Sequence, residues 1–277
     1  MSVSFDNKVV VVTGAGRGMG RATAVRFAQA GARVAALDIN DDDLAETLDA
    51  TGDPSRHLAL SCDIANSAAV EGAFDQLVEQ LGAVDALVNN AGIGRYPGDG
   101  SDEMYELMAK RNEELAAGGP AQTHVDHLIF MGDEGWRGVM GVNLDGAFYC
   151  TRQAVRSMVA AGKGGSVVFV SSTSAQSGEG AVHYVTSKAA VIGMARALSR
   201  ELAGRGIRVN AVAPGPTNTP IMDGIPQEWI RDMEAAIPLG RMATPEEIAE
   251  AIVWVSSDAA SFSTGSVLVA NGGSYFF

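Results

Sequence analysis

The chain has 277 residues, 47% of them hydrophobic and 33 of them glycine, and a formal net charge of −13. That apolar content excludes disorder and is enough for one large core, while the acidic balance, with no Lys/Arg-rich run, excludes nucleic acid and points to small-molecule partners. Cys62 and Cys150 stand apart without a CxxC or His-spaced pattern, so they read as buried thiols rather than a disulfide or metal site.

Val9 to Val12 is a continuous β-branched run, as a strand buried on both faces requires, and it leads straight into a glycine-rich loop. Helical spacing over Arg21 to Ala30 is followed by strand-like Arg33 to Leu37, helical Asp42 to Ala50, strand-like Leu58 to Ser61, helical Ala68 to Leu81 and strand-like Ala86 to Val88. Asp102 to Ala117 then has helical propensity with a broken apolar face of Met104, Leu107, Met108 and Leu115. Helical Gly146 to Ala160, strand-like Val167 to Val170, helical His183 to Ala203, strand-like Ile207 to Val212, helical Pro245 to Ser256 and strand-like Val267 to Ala270 complete the order. Such alternation makes right-handed crossovers, so the expected fold is α/β: a doubly wound parallel sheet of about seven strands with helices on both faces. No basic start followed by an apolar run opens the chain, and no stretch reaches about eighteen apolar residues, so a cytoplasmic protein without membrane association is expected.

Gly14, Gly18 and Gly20, with Arg17 and Met19 between them, sit where a strand opens a helix, and backbone N–H groups there can hold a pyrophosphate. The loop does not match GxGxxG, because Met19 and Arg21 stand where the last glycine would fall, and a plain glycine turn is the alternative. Asp38 ends the second strand, where a carboxylate can accept hydrogen bonds from an adenosine ribose. Acidic residues surround it and no Lys or Arg lies between positions 34 and 55. A 2′-phosphate there would meet repulsion on the order of 4 kcal/mol per contact before screening, which favours NAD over NADP. Arg17 works the other way, since a guanidinium can reach a phosphate. Tyr184 and Lys188 lie four residues apart on one helix face, where a cation beside a phenol favours the phenolate.

Thr13 to Gly20 as TGxxxGxG, Asn89-Asn90-Ala91-Gly92, Ser172, YxxxK at 184 to 188 and Pro214-Gly215 together resemble the short-chain dehydrogenase/reductase family, from about Phe5 to Gly273. The resemblance implies a single Rossmann-type domain over 1–277 that binds NAD(H) or NADP(H) and interconverts alcohols and carbonyls without a metal. It implies that Tyr184 is the acid/base, that Lys188 lowers its pKa and contacts the nicotinamide ribose, that Ser172 donates to the reacting oxygen, and that Asn143 holds a water leading to solvent. The usual family spacing selects Ser171, thirteen residues before the tyrosine, whereas alignment on the strand Val167 to Val170 and on Gly178 selects Ser172. Asn90, Ala91 and Gly92 fall on the adenosine side, Asp63 and Ile64 beside adenine, and Pro214, Gly215, Thr217 and Thr219 near the nicotinamide. Pro238 to Arg241, Pro245 to Ala249, Thr264-Gly265 and Gly272-Gly273 take structural roles.

Two regions depart from the family pattern. An insertion over about 95–134 either walls the substrate pocket or forms a surface excursion or subunit contact. A second region, about 217–240, carries Met222, Ile225, Trp229, Met233 and Ile237, either as a lid over a hydrophobic substrate or as ordinary helix packing. His183, about 100° around the helix from Tyr184, reads as a wall or packing residue. The expected function is an NAD-dependent oxidoreductase interconverting a secondary alcohol and a ketone of apolar or cyclic type. The alternative is a non-catalytic dinucleotide-sensing or interaction protein on the same fold. The resemblance also implies a homotetramer, pairing the helices Gly146–Ala160 and His183–Ala203, which would cover Phe276-Phe277.

Overall fold

In the computed structural model, which describes residues 3–222 and 227–276, seven parallel strands form one sheet in the order β3-β2-β1-β4-β5-β6-β7. They are β1 (Val9–Thr13), β2 (Arg33–Asp38), β3 (Leu58–Ser61), β4 (Ala86–Asn89), β5 (Gly165–Val170), β6 (Ile207–Pro214) and β7 (Val267–Ala270). Each expected strand is present. Alternate residues of the central strands feed two separate cores. Val9, Val11, Leu87 and Phe169 pack on one face, and Val10, Val12, Val88 and Val168 on the other. A strand buried on both faces has no polar position to spare, which is why these runs are unbroken by charge.

The helices are α1 (Gly18–Gln29), α2 (Asp41–Ala50), α3 (Ser67–Leu81), α4 (Ser101–Ala116), α5 (Asp133–Met140), α6 (Ala147–Ala160), α7 (Ser174–Ser177), α8 (Val182–Leu202), α9 (Gln227–Ala236) and α10 (Pro245–Ser256). Local chemistry sets several starts. Asn40 accepts from the Asp43 amide at 3.1 Å to cap α2, Asn66 caps α3, and Thr244 with Glu247 forms a reciprocal capping box on α10.

One element differs from the sequence expectation, and one residue decides between its alternatives. A helix begins at Asp133, well before Gly146, and passes through a π-helical segment at Gly141–Gly146 into α6. Gly135, Gly138 and Gly141 lower helical propensity there, but close packing requires two of them. A Cβ on Gly135 would lie 2.4 Å from the Asp99 Cα, and one on Gly138 would lie 2.2 Å from the Tyr96 ring. Of the apolar residues proposed for a lid, Ile237 is buried and stands 2.6 Å from where a Gly272 Cβ would be, so it packs. Ile225, the side chain of Trp229 and Phe277 lie outside the described residues. Among the described residues no helix is long and apolar enough to cross a membrane.

Candidate active site

The strand order reverses between β1 and β4, and crossovers leaving these strands in opposite directions open a crevice at their carboxyl ends. A cleft of about 1230 Å³ lies there. Gly14 and Gly18 adopt left-handed backbone at φ 62° and 54°. At Gly20 any Cβ would stand 1.8 Å from the Gly14 carbonyl oxygen, so only glycine fits. Arg17 occupies the N-cap of α1 in an extended conformation with no side-chain cap, leaving the first-turn N–H groups for an anion. Arg17 and Met19 line the cleft with these glycines.

Asp38 stands at the rim. Its Oδ2 accepts from the Gly16 amide at 2.9 Å and its Oδ1 from the Ile39 and Asn40 amides at 2.8 and 3.2 Å. Arg21 is held by Glu46 at 2.9 Å. Asp63 and Ile64 also line the cleft, as do Asn90, Ala91 and Gly92. Asn90 and Ala91 are fixed by a clamp that no local motif signals. Thr13 Oγ1 accepts from the amides of Asn90 and Ala91 at 3.1 Å each, and Asn90 Nδ2 donates to the carbonyls of Thr13 and Gly14 at 3.0 and 3.1 Å. Uncapped amides, a close-approach glycine loop and a rim carboxylate together fit a dinucleotide.

Pro214 ends β6, and Gly215 follows it because a Cβ there would lie 2.7 Å from Asn271. Thr219 lines the cleft and sits about the Gly18 turn, 3.4 Å from where its Cβ would be. Thr217 is different: its hydroxyl is buried and donates to the Gly215 carbonyl at 3.0 Å.

Tyr184 and Lys188 lie one turn apart in α8. The buried Lys188 ammonium donates to the Val170 carbonyl at 2.9 Å, 5.8 Å from the centre of the Tyr184 ring, and a Cβ on Gly92 would come within 2.9 Å of it. Neighbouring serines diverge after β5. Ser171 turns inward and donates to the Lys188 carbonyl at 2.7 Å, whereas Ser172 Oγ accepts from the Ser174 amide at 3.1 Å and favours ionisation of the nearby Tyr184 phenol. Asn143 sits in the π-helical segment and ties three elements. Its Oδ1 accepts from the Ile93 amide at 2.8 Å, and its Nδ2 donates to the Ile93 carbonyl at 2.9 Å and Ser187 Oγ at 3.0 Å.

Burial pushes the Tyr184 phenol above its ordinary value, with the Ser172 bond working the other way. This differs from a phenol drawn down by lysine. The same burial brings Lys188 down to about 8, because an interior position disfavours both charged forms. Lys188 still carries its proton at neutral pH. Burial also pushes the thiols of Cys62 and Cys150 up, to about 11 for Cys62.

His183 is buried, as a packing residue would be, yet it is polar in its contacts. Its Nδ1 accepts the Tyr184 amide at 2.7 Å and its Nε2 lies 3.3 Å from Asp99 Oδ2. No local pattern signals this pair, which bridges the insertion and α8.

A family model described as short chain dehydrogenase matches residues 8–229. The chain is 36% identical over 271 residues to a 3-oxoacyl-[acyl-carrier-protein] reductase of Thermotoga maritima, covering 97% of this chain and 98% of that one. It is 37% identical to the cis-4-hydroxycyclohexanecarboxylate dehydrogenase of Sinomonas cyclohexanicum, with 99% and 98% covered, and 35% identical to the meso-2,3-butanediol dehydrogenase of Serratia marcescens, with 97% and 95% covered. A solved short-chain dehydrogenase/reductase from Brucella melitensis, described as a glucose/ribitol dehydrogenase, superposes with a TM-score of 0.83 at 32% identity over the whole of both chains. With its cleft, its glycine loop and this matched span, the chain belongs to the short-chain dehydrogenase family, oxidoreductases that bind a nicotinamide dinucleotide.

Proposed function

We propose that the protein is an NAD-dependent oxidoreductase that interconverts a secondary alcohol and a ketone, with Tyr184 as acid/base. The observation that carries this reading is the buried Lys188 ammonium fixed one helical turn from Tyr184, 5.8 Å from the centre of its ring and beside Gly92, with Ser172 near enough to favour the ionised phenol. Bound in the cleft, the dinucleotide supplies a hydride donor or acceptor. Tyr184 takes the hydroxyl proton in oxidation and returns it to the carbonyl oxygen in reduction. Ser172 would donate a hydrogen bond to that oxygen, Lys188 would hold the ribose, and Asn143 would hold a water that links Lys188 to solvent. Since the phenol lies above its ordinary value, oxidation, which needs phenolate, accelerates as pH rises into the alkaline range, and reduction, which needs phenol, slows there.

Asp38 supports NAD: its carboxylate suits ribose hydroxyls and repels a 2′-phosphate. Relatives named for butanediol and hydroxycyclohexanecarboxylate support a small alcohol with an apolar or cyclic frame. Exposed Phe148 and Val159 on α6, Val182 on α8 and Phe276 support a homotetramer built on these helices, and two unpaired buried thiols fit a cytoplasmic setting. A panel of secondary alcohols and ketones, assayed with NAD and NADP in parallel, tests the reading. We expect turnover with NAD preferred by about tenfold or more, equivalent to about 1.4 kcal/mol. Binding of either dinucleotide without turnover of any compound would favour the sensing alternative.

A further inference from the structure

We propose that His183, anchored by Asp99 of the insertion, is a positioning residue that fixes the backbone of Tyr184; this rests on Tyr184 being the acid/base. Helix α8 starts poorly by its own sequence. Ala181 occupies the N-cap and offers no side-chain acceptor, and the first intrahelical bond runs from the Val185 amide to the Ala181 carbonyl at 2.9 Å. The amides of the first turn, Tyr184 among them, therefore have no helical acceptor. His183 takes over the cap: its Nδ1 accepts the Tyr184 amide at 2.7 Å.

An accepting Nδ1 places the ring proton on Nε2, which faces Asp99 Oδ2 at 3.3 Å. Burial opposes ionisation of Asp99, but the amides of Tyr96 and Ser101, at 2.8 and 2.9 Å, together with His183 hold its carboxyl below the usual range. Burial keeps His183 itself below its ordinary value, hence neutral and able to accept. The His127 ring packs edge-on at 5.6 Å and closes the other side. The loop bearing Asp99 is seated on α5 because Gly135 and Gly138 leave room for it. Insertion, carboxylate, imidazole and tyrosine amide thus form one continuous series of contacts, which gives the insertion a role at the site.

Asp99, His127 and His183 also bring three potential ligand atoms within 4.8 Å of one another. A metal on His183 Nε2 would require a ring with no proton on either nitrogen, since Nδ1 already accepts an N–H. The hydrogen-bonded arrangement is the one these contacts describe.

Two variants separate the two nitrogens. His183→Asn keeps an acceptor near Nδ1, and His183→Gln keeps a donor near Nε2 while losing the acceptor. Measured as kcat, KM for the alcohol, NADH affinity and Tm, His183→Gln is expected to lose kcat by about tenfold with NADH affinity unchanged, and His183→Asn to stay within about threefold, as loss of one hydrogen bond implies. Should His183→Gln fail to fold, Asp99→Asn is expected to lower kcat by about threefold in the same pattern. Equal kcat for the Gln and Asn variants, a fall in Tm with kcat unchanged, or one zinc per chain retained through dialysis and lost in His183→Asn would overturn the inference. Tyr184→Phe runs alongside. If it stays active, the acid/base reading fails; if it is inactive while both His183 variants match the parent, this inference alone fails.

Discussion

Ser171 and Ser172 are adjacent, yet one hydroxyl is spent on the Lys188 carbonyl and the other caps the Ser174 amide while favouring ionisation of the Tyr184 phenol. Replacing Ser172 by Ala is expected to lower kcat/KM by about a hundredfold, the scale of one lost donor to a reacting oxygen. Ser171→Ala should instead cost about 1 kcal/mol of stability with kcat/KM nearly unchanged, seen in paired denaturation and kinetic assays. The reverse order would assign the role to Ser171. The strand pattern let the sequence favour Ser172 over Ser171, because the serine follows a run whose end could be read, and the two alanine variants decide between them. The protonation energetics were not legible, since YxxxK shows that a cation is near but not how deeply both groups are buried. Lys188 provides a stability test. Its folded value, about 8, lies below its ordinary 10.5. Below pH 8 both states hold the proton and the native state carries the burial cost; between 8 and 10.5 the unfolded chain binds more proton, so stability rises with pH. Relative to Lys188→Met, the parent should gain up to roughly 3 kcal/mol across that window. A flat or falling difference in urea unfolding would contradict a buried, desolvated lysine.

Elements with one strong period were readable, and those built on glycine were not. The strands carry unbroken β-branched runs, and α2, α3 and α10 carry their own caps, so both their kind and their limits follow from sequence. Helix α5 was missed because its glycines answer to Tyr96 and Asp99, contacts that no local pattern contains. Helix α4 formed as expected, but with only Ser101 buried it leaves the wall and surface readings of the insertion to be separated by contacts elsewhere in it. Two glycine substitutions test this distinction. Gly20→Ala meets the Gly14 carbonyl and should weaken NADH binding by about tenfold or more while lowering Tm, because backbone cannot yield as a side chain can. Gly72→Ala in α3 meets nothing within 4 Å and should stabilise by about 0.5–1 kcal/mol. A stabilised Gly20→Ala would mean that the loop is not the tight cradle described.

Across the whole molecule, the place of the site follows from topology alone, since a doubly wound sheet puts its crevice where strand order reverses. The order of motifs along the sequence therefore located the cleft before any side chain was placed. Cofactor choice is a property of the surrounding field as well as of Asp38. An acidic rim on a chain of net charge −13 disfavours an added phosphate, and Asp38→Ala should narrow the proposed preference for NAD while sparing most turnover with it. The most direct test of the account compares Tyr184→Phe with the parent protein in NADH titration and in alcohol oxidation. We expect binding within about threefold and a rate lower by about 10²–10⁴, the range for a lost acid/base group. A variant that binds NADH and oxidises alcohol at the parent rate would contradict it.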